Sequence, residues 1–234
     1  MIRLARENLS GLVFFLHNYF IFPNIESMET KSIFIHANPP ALGLRQSLYE
    51  NVSRDWFKRT LNIPVKYHFA LNQHDFYFSV SRQTKAVIHP DAQPGEFQSE
   101  LWKYDVAEFF IAPEDRSATE YLEFNLAPNG SWWSCFFKQP RVPAQCKPLQ
   151  GVRTEALLDE EKWSVQAAIP RNQIPWLGSA RCLLNAAFIL DSPEQRFLTV
   201  ADLGNGAPDF HRPQDFLPMR LSSSAENRHT DSDA

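Results

Sequence analysis

The chain has 234 residues, 44% of them hydrophobic and 13% aromatic, with nineteen Phe, six Trp and a formal net charge of −4. A composition this apolar fills one sizeable core and argues against disorder, while the mild charge gives no electrostatic footprint for nucleic acid. Seventeen Pro against eight Gly point to rigid turns and edge positions rather than flexible linkers.

In chain order, Arg3 and Arg6 precede an apolar run from Gly11 to Leu16 that His17 and Asn18 interrupt before Tyr19 to Phe22. This is a poor signal peptide, with a broken apolar region and no small-residue cleavage site, and it is too short and polar to span a bilayer. Residues 1–28 therefore read as an N-terminal extension outside the fold; the protein is expected to be soluble, its compartment left open with the cytoplasm favoured over export. A sandwich domain is expected over 29–222.

Ser32–His36 is the first predicted strand. The recurrence of Leu44, Leu48, Val52 and Trp56 at steps of four predicts a short helical segment near residues 42–61. Pro64–Leu71 and Asp75–Val80 read as a hairpin, followed by strands at Asp105–Ile111, Thr119–Leu126 and Ser131–Phe137. Pro128-Asn129-Gly130 makes the tight turn between the last two. Trp163–Ile169, Leu183–Leu190, Phe197–Ala201 and Phe216–Leu221 complete the set, and residues 223–234 read as a disordered tail. About ten short strands at this spacing predict an all-β fold, an antiparallel β-sandwich of jelly-roll type.

The three cysteines, Cys135, Cys146 and Cys182, are too few and scattered for a disulfide framework, although one bridge is open to them. No two have C-x-x-C spacing, and His68, His74 and His89 lack metal-ligand spacing, so no metal is expected. Nothing in the sequence supports a structural calcium ion or any other cofactor. G-x-S-x-G, H-E-x-x-H and a phosphate-binding Gly loop are all missing from the sequence. A pair of carboxylates such as Asp105 and Glu108 points to opposite faces of its strand and cannot flank one bond. The expected protein is therefore not an enzyme.

Glu108 is a charge placed in the apolar strand Val106-Ala107-Glu108-Phe109-Phe110. Burying an unpaired carboxylate costs several kcal/mol or shifts its pKa, so Glu108 is either paired inside the fold or faces a cleft. In the following strand, Leu122, Phe124 and Leu126 take the core face, leaving Tyr121, Glu123 and Asn125 on the other. Asn185 interrupts Leu183–Ala187 in the same manner. If these strands are neighbours, Glu108, Tyr121, Glu123, Asn125 and Asn185 form one polar patch, whose hydrogen-bonding groups suit sugar hydroxyls; an ordinary solvated sheet face is the alternative. Trp102 and Phe210 lie in loops beside it and are candidate stacking platforms, with His211 adjacent.

Trp102-x-x-Asp105-x-x-Glu108-Phe109-Phe110, a strand ending in Ala127-Pro128-Asn129-Gly130, Ala168-Ile169-Pro170 closing a strand, and Asp209-Phe210-His211-Arg212-Pro213-x-x-Phe216 follow in order. Together they span about Val65 to Leu221 and resemble the family 9 carbohydrate-binding modules and their DOMON-like relatives. The resemblance implies a β-sandwich with a site between two facing aromatics, both exposed, here Trp102 and Phe210 across the Glu108 strand. Phe210 stands where sugar-binding members carry Trp. Asn125 matches the family pattern, but Glu123 stands where those members carry Arg, and Ser81, Arg82 and Gln83 hold no counterpart of a further polar contact. The family includes haem binders, and His211 is the one site-loop residue that could ligate such a group. The implied function is non-catalytic binding of a mono- or oligosaccharide, alongside a separate carbohydrate-active enzyme. A DOMON-like binder of another small ligand, or a protein-interaction sandwich with a decayed sugar site, remains the alternative.

Overall fold

The computed structural model describes residues 31–37, 39, 49–179 and 181–222. The expected extension over 1–28, the expected tail over 223–234 and residues 42–48 of the expected helix lie outside them. The described residues form thirteen strands: β1 (Ile33–Ile35), β2 (Glu50–Arg54), β3 (Thr60–Leu71), β4 (Asp75–Arg82), β5 (Val106–Pro113), β6 (Tyr121–Leu126), β7 (Trp132–Gln139), β8 (Val142–Cys146), β9 (Arg153–Leu158), β10 (Trp163–Pro170), β11 (Cys182–Leu190), β12 (Arg196–Thr199) and β13 (Leu217–Leu221). They make an all-β sandwich, the class expected from the alternation. The larger sheet runs β1-β13-β11-β5-β6-β7-β8 with β12 also on β11, and the smaller runs β2-β3-β4-β10-β9.

One local expectation fails. Residues 50–54 are strand and β3 begins at Thr60, so no helix occupies the described part of the 42–61 segment. Val52 pairs with Val65 across the sheet, whereas Trp56 leaves the β2–β3 connection and donates its indole N–H to the Gly206 carbonyl at 2.9 Å. Their four-residue spacing reflects two separate packing partners rather than one helical face.

The sheets meet over an aromatic core. Phe69, Phe76 and Phe78 of β3 and β4 face Phe109 of β5, with ring centroids 6.1, 5.3 and 5.5 Å from it, and Phe124 of β6, its cross-strand neighbour, stacks on it at 5.2 Å. Strand alternation places these rings inward together with Trp163, Val165 and Phe188, all fully buried. At the β6–β7 turn Gly130 has φ +88°, and a Cβ there would stand 3.0 Å from the Thr154 hydroxyl, so the tight turn requires glycine.

The other face of the larger sheet is covered as well. Trp56, Leu101, Phe110, Tyr121, Trp133, Leu203, Phe210 and Phe216 form a second buried cluster there, built from sheet residues and the loops over 83–105 and 200–216. This is why β5 and β11 are buried along nearly their whole length rather than alternating in and out. Asp105 ties the 83–105 loop to the β11–β12 connection, its carboxylate accepting the backbone N–H groups of Val87 at 3.0 Å and Ser192 at 2.9 Å. Asp105 is thereby structural.

Cys135 and Cys146 are joined in a disulfide across β7 and β8, and Cys182 is free and buried. Closing so short a loop stabilises by about 3 kcal/mol in the chain-entropy description. Cys146→Ser is therefore expected to lower the unfolding free energy by about that amount in non-reducing urea titrations, and to be indistinguishable from wild type once both are reduced.

Candidate functional site

Above the second face of the larger sheet lies a concave space of about 500 Å³, lined among others by Trp102, Glu108, Glu123, Trp133, Phe197 and Phe210. Its floor is set by register. Glu108 of β5 lies opposite Asn125 of β6, and Phe110 opposite Glu123, so the two glutamates are diagonal neighbours on one face. Both are buried, at 3% and 5% exposure.

The walls are aromatic. Trp102 sits on a 3₁₀ turn, Leu101–Lys103, pinned from beneath by fully buried Leu101 and through its carbonyl, which accepts the Gln195 amide at 2.8 Å. The Trp102 ring, 38% exposed, meets Trp133 edge-on at 5.5 Å. Phe197 and Phe210, also in the wall, lie 6.3 Å apart, and Trp56 backs Phe210 at 5.9 Å. Phe210 is only 7% exposed, so it forms a packed wall and not the free platform expected from its loop position. The rim carries Arg141, from the β7–β8 turn, whose guanidinium pairs with Asp209 at 2.8 Å.

Electrostatics follow from burial. Loss of solvent pushes Glu108 well above the carboxylate range, with the neighbouring Glu123 charge adding to the effect. Burial likewise raises Glu123 to about 7, against the opposing pull of Asn125 and Arg141. Among the described residues, Oε2 of Glu123 has no hydrogen-bond partner. His211 is held down to about 4, chiefly by burial and secondarily by the Arg141 charge, so its ring is neutral. The Tyr121 hydroxyl accepts the Arg141 backbone N–H and is 2.6 Å from His211 Nδ1.

Of the residues singled out from sequence, Trp102, Glu108, Glu123, Phe210 and His211 line the cavity. The other three sit behind it. Tyr121 stacks on Phe137 at 4.8 Å, and Asn125 is fully buried beneath the floor. Asn185 accepts the Ala201 N–H at 2.9 Å and the Thr199 hydroxyl at 3.1 Å, a bracket between β11 and the segment after β12. Sequence reasoning missed Trp133, Phe137, Arg141 and Phe197. Trp133 had a signal, since adjacent Trp132 and Trp133 must point to opposite faces of one strand. A second depression of about 410 Å³ borders β2, and at it Asp55 binds Arg59 and Arg196 while Lys58 binds Asp202.

No protein-family model matches the chain, and no curated protein matches it in sequence. Solved structures do. A Bacteroides uniformis ATCC 8492 protein to which carbohydrate binding is ascribed superposes with a TM-score of 0.59 at 13% identity, over 82% of this chain and 100% of its own. A family 9 carbohydrate-binding module from Caldicellulosiruptor kristjanssonii in complex with glucose gives 0.54 at 15% identity, over 82% of this chain and 96% of its own. A family 9 module from the same organism in complex with cellotriose gives 0.53 at 14% identity, over 87% and 100%. At these identities the likeness is one of fold, and the fold is the one the sequence motifs resemble.

Proposed function

We propose that this domain binds a carbohydrate, without transforming it, in the cavity between Trp102, Trp133, Phe197 and Phe210. The observation that carries the reading is a half-exposed indole, Trp102, standing beside a sunken pair of carboxyl groups in a concave aromatic space of about 500 Å³. A flat ring stacks on the apolar face of a pyranose, and carboxyl groups below it take the hydroxyls. The two fold neighbours that hold glucose and cellotriose support the choice of ligand class.

Binding without turnover is favoured by where the acids lie. Glycoside hydrolysis needs two carboxyl groups on opposite sides of the scissile bond, whereas Glu108 and Glu123 rise from one strand pair on the same side of any ligand. The Cys135–Cys146 disulfide favours an oxidising compartment over the cytoplasm expected from the N-terminal segment. The ligand would then be an extracellular or lumenal sugar, presented to an enzyme on a separate chain.

The test is titration of intrinsic Trp fluorescence with a panel of mono- and oligosaccharides, on wild type and on Trp102→Ala. A saturable change is expected with wild type, and truncating this central aromatic should weaken binding by about 2 kcal/mol, some thirtyfold. No response to any sugar from a protein folded by circular dichroism would overturn the reading.

A further inference from the structure

The cavity floor carries two acids and, among the described residues, no cation paired with either. Arg141 is exposed and pairs with Asp209, making no ion pair with Glu108 or Glu123. His211 Nδ1 is 3.8 Å from Glu123 Oε2, but that ring is neutral and its Nδ1 is occupied by the Tyr121 hydroxyl. Glu123, a side chain more than nine-tenths buried, lines the space, and its Oε2 is left unpartnered beneath the floor. Around the acids stand the rings of Trp102, Trp133, Phe137, Phe197 and Phe210, whose electron-rich faces attract positive charge.

A buried acidic floor inside an aromatic wall discriminates among sugars. A neutral hexose offers hydroxyls but leaves both acids holding the protons that burial favours, so no charge-assisted contact forms. A sugar acid is repelled. An ammonium group satisfies both glutamates through charge-assisted hydrogen bonds and gains from the rings as well. We infer that the cavity selects a cationic carbohydrate, a hexosamine whose amine is free and protonated, seating its ammonium on Glu108 and Glu123 and its ring against Trp102. This rests on the sugar-binding reading and narrows it.

A cation on the floor displaces the protons that burial holds on Glu108 and Glu123, so affinity rises with pH until the ligand amine itself loses its charge. The groups facing the floor are Glu108 of β5, Tyr121 and Glu123 of β6, Arg141 of the β7–β8 turn, and Asp209 and His211 of the loop before β13. The cavity-lining side chains of β11 and β12 (Ile189 and Phe197) are apolar.

The deciding experiment is calorimetric titration of the full chain at pH 7 with glucosamine, glucose and N-acetylglucosamine, repeated on Glu123→Gln. Glucosamine is expected to bind at least about tenfold more tightly than the other two, and the variant should bring all three within about threefold, as one lost charge contact predicts. If Glu123→Gln does not fold, Glu108→Gln carries the same comparison. Glucose or N-acetylglucosamine binding as tightly as glucosamine overturns the inference while leaving the sugar site standing. No binding by any of the three overturns both. Tetramethylammonium matching glucosamine overturns the assignment to a sugar and makes the site one for simple organic cations.

Discussion

Phe109→Ala is expected to lower the unfolding free energy by about 4 kcal/mol, whereas Glu108→Gln, one residue earlier, leaves it equal or higher at pH 7. The two side chains leave β5 on opposite faces. Phe109 is fully buried between the sheets, contacting Phe69, Phe76 and Phe78 of the facing sheet and Phe124 of its own. Its loss removes a large apolar area and leaves a cavity that four rings held in two separate sheets cannot collapse to fill. Glu108 pays for burial instead, and glutamine keeps its shape while removing the charge that burial penalises. Equilibrium urea unfolding at pH 7 measures both. A loss below about 2 kcal/mol for Phe109→Ala, or a comparable loss for Glu108→Gln, would mean that the faces of β5 are assigned the wrong way round.

That assignment was legible from the sequence because it depends only on alternation within a strand. Glu108, Tyr121, Glu123, Asn125 and Asn185 fall on one face of the larger sheet, and Ala107, Phe109, Leu122, Phe124 and Leu126 on the other. What alternation cannot supply is a partner from a distant loop. Phe210 looked like an open platform since nothing near it in sequence covers it; Trp56, 154 positions earlier, does so in the fold. Asn185 looked like a site residue, yet its carboxamide oxygen is consumed by Thr199 and Ala201. Strands β8 and β9 carry no buried face, being mostly exposed edges of their sheets, so no apolar period marks them. The Cys135–Cys146 bridge was hidden for the same reason, because its pairing depends on the β7–β8 hairpin.

The second large effect is on pH. Subtracting the unfolding free energy of wild type from that of Glu123→Gln should give a difference that grows by about 3 kcal/mol between pH 4.5 and 7.5, in favour of the variant. An unfolded glutamate loses its proton near 4.5, while folded Glu123 keeps it to about 7. Between those values unfolding releases a proton, so stability falls as pH rises; below the window the penalty is absent, and above it the penalty is complete. Wild type alone hides this. His68 and His211, both held down to about 4 by burial, take up protons on unfolding over roughly pH 4 to 6.5 and make stability rise there. Asp105, raised by its own burial, acts in the same direction as the glutamates. The difference between two proteins that share these other groups cancels their terms and leaves the floor. Urea midpoints at half-unit pH steps measure it. A flat difference would mean that Glu123 ionises as freely in the folded protein as in water, so that the floor is wet. A rising difference that saturating glucosamine then suppresses would tie the cost of the buried charge to the ligand that relieves it.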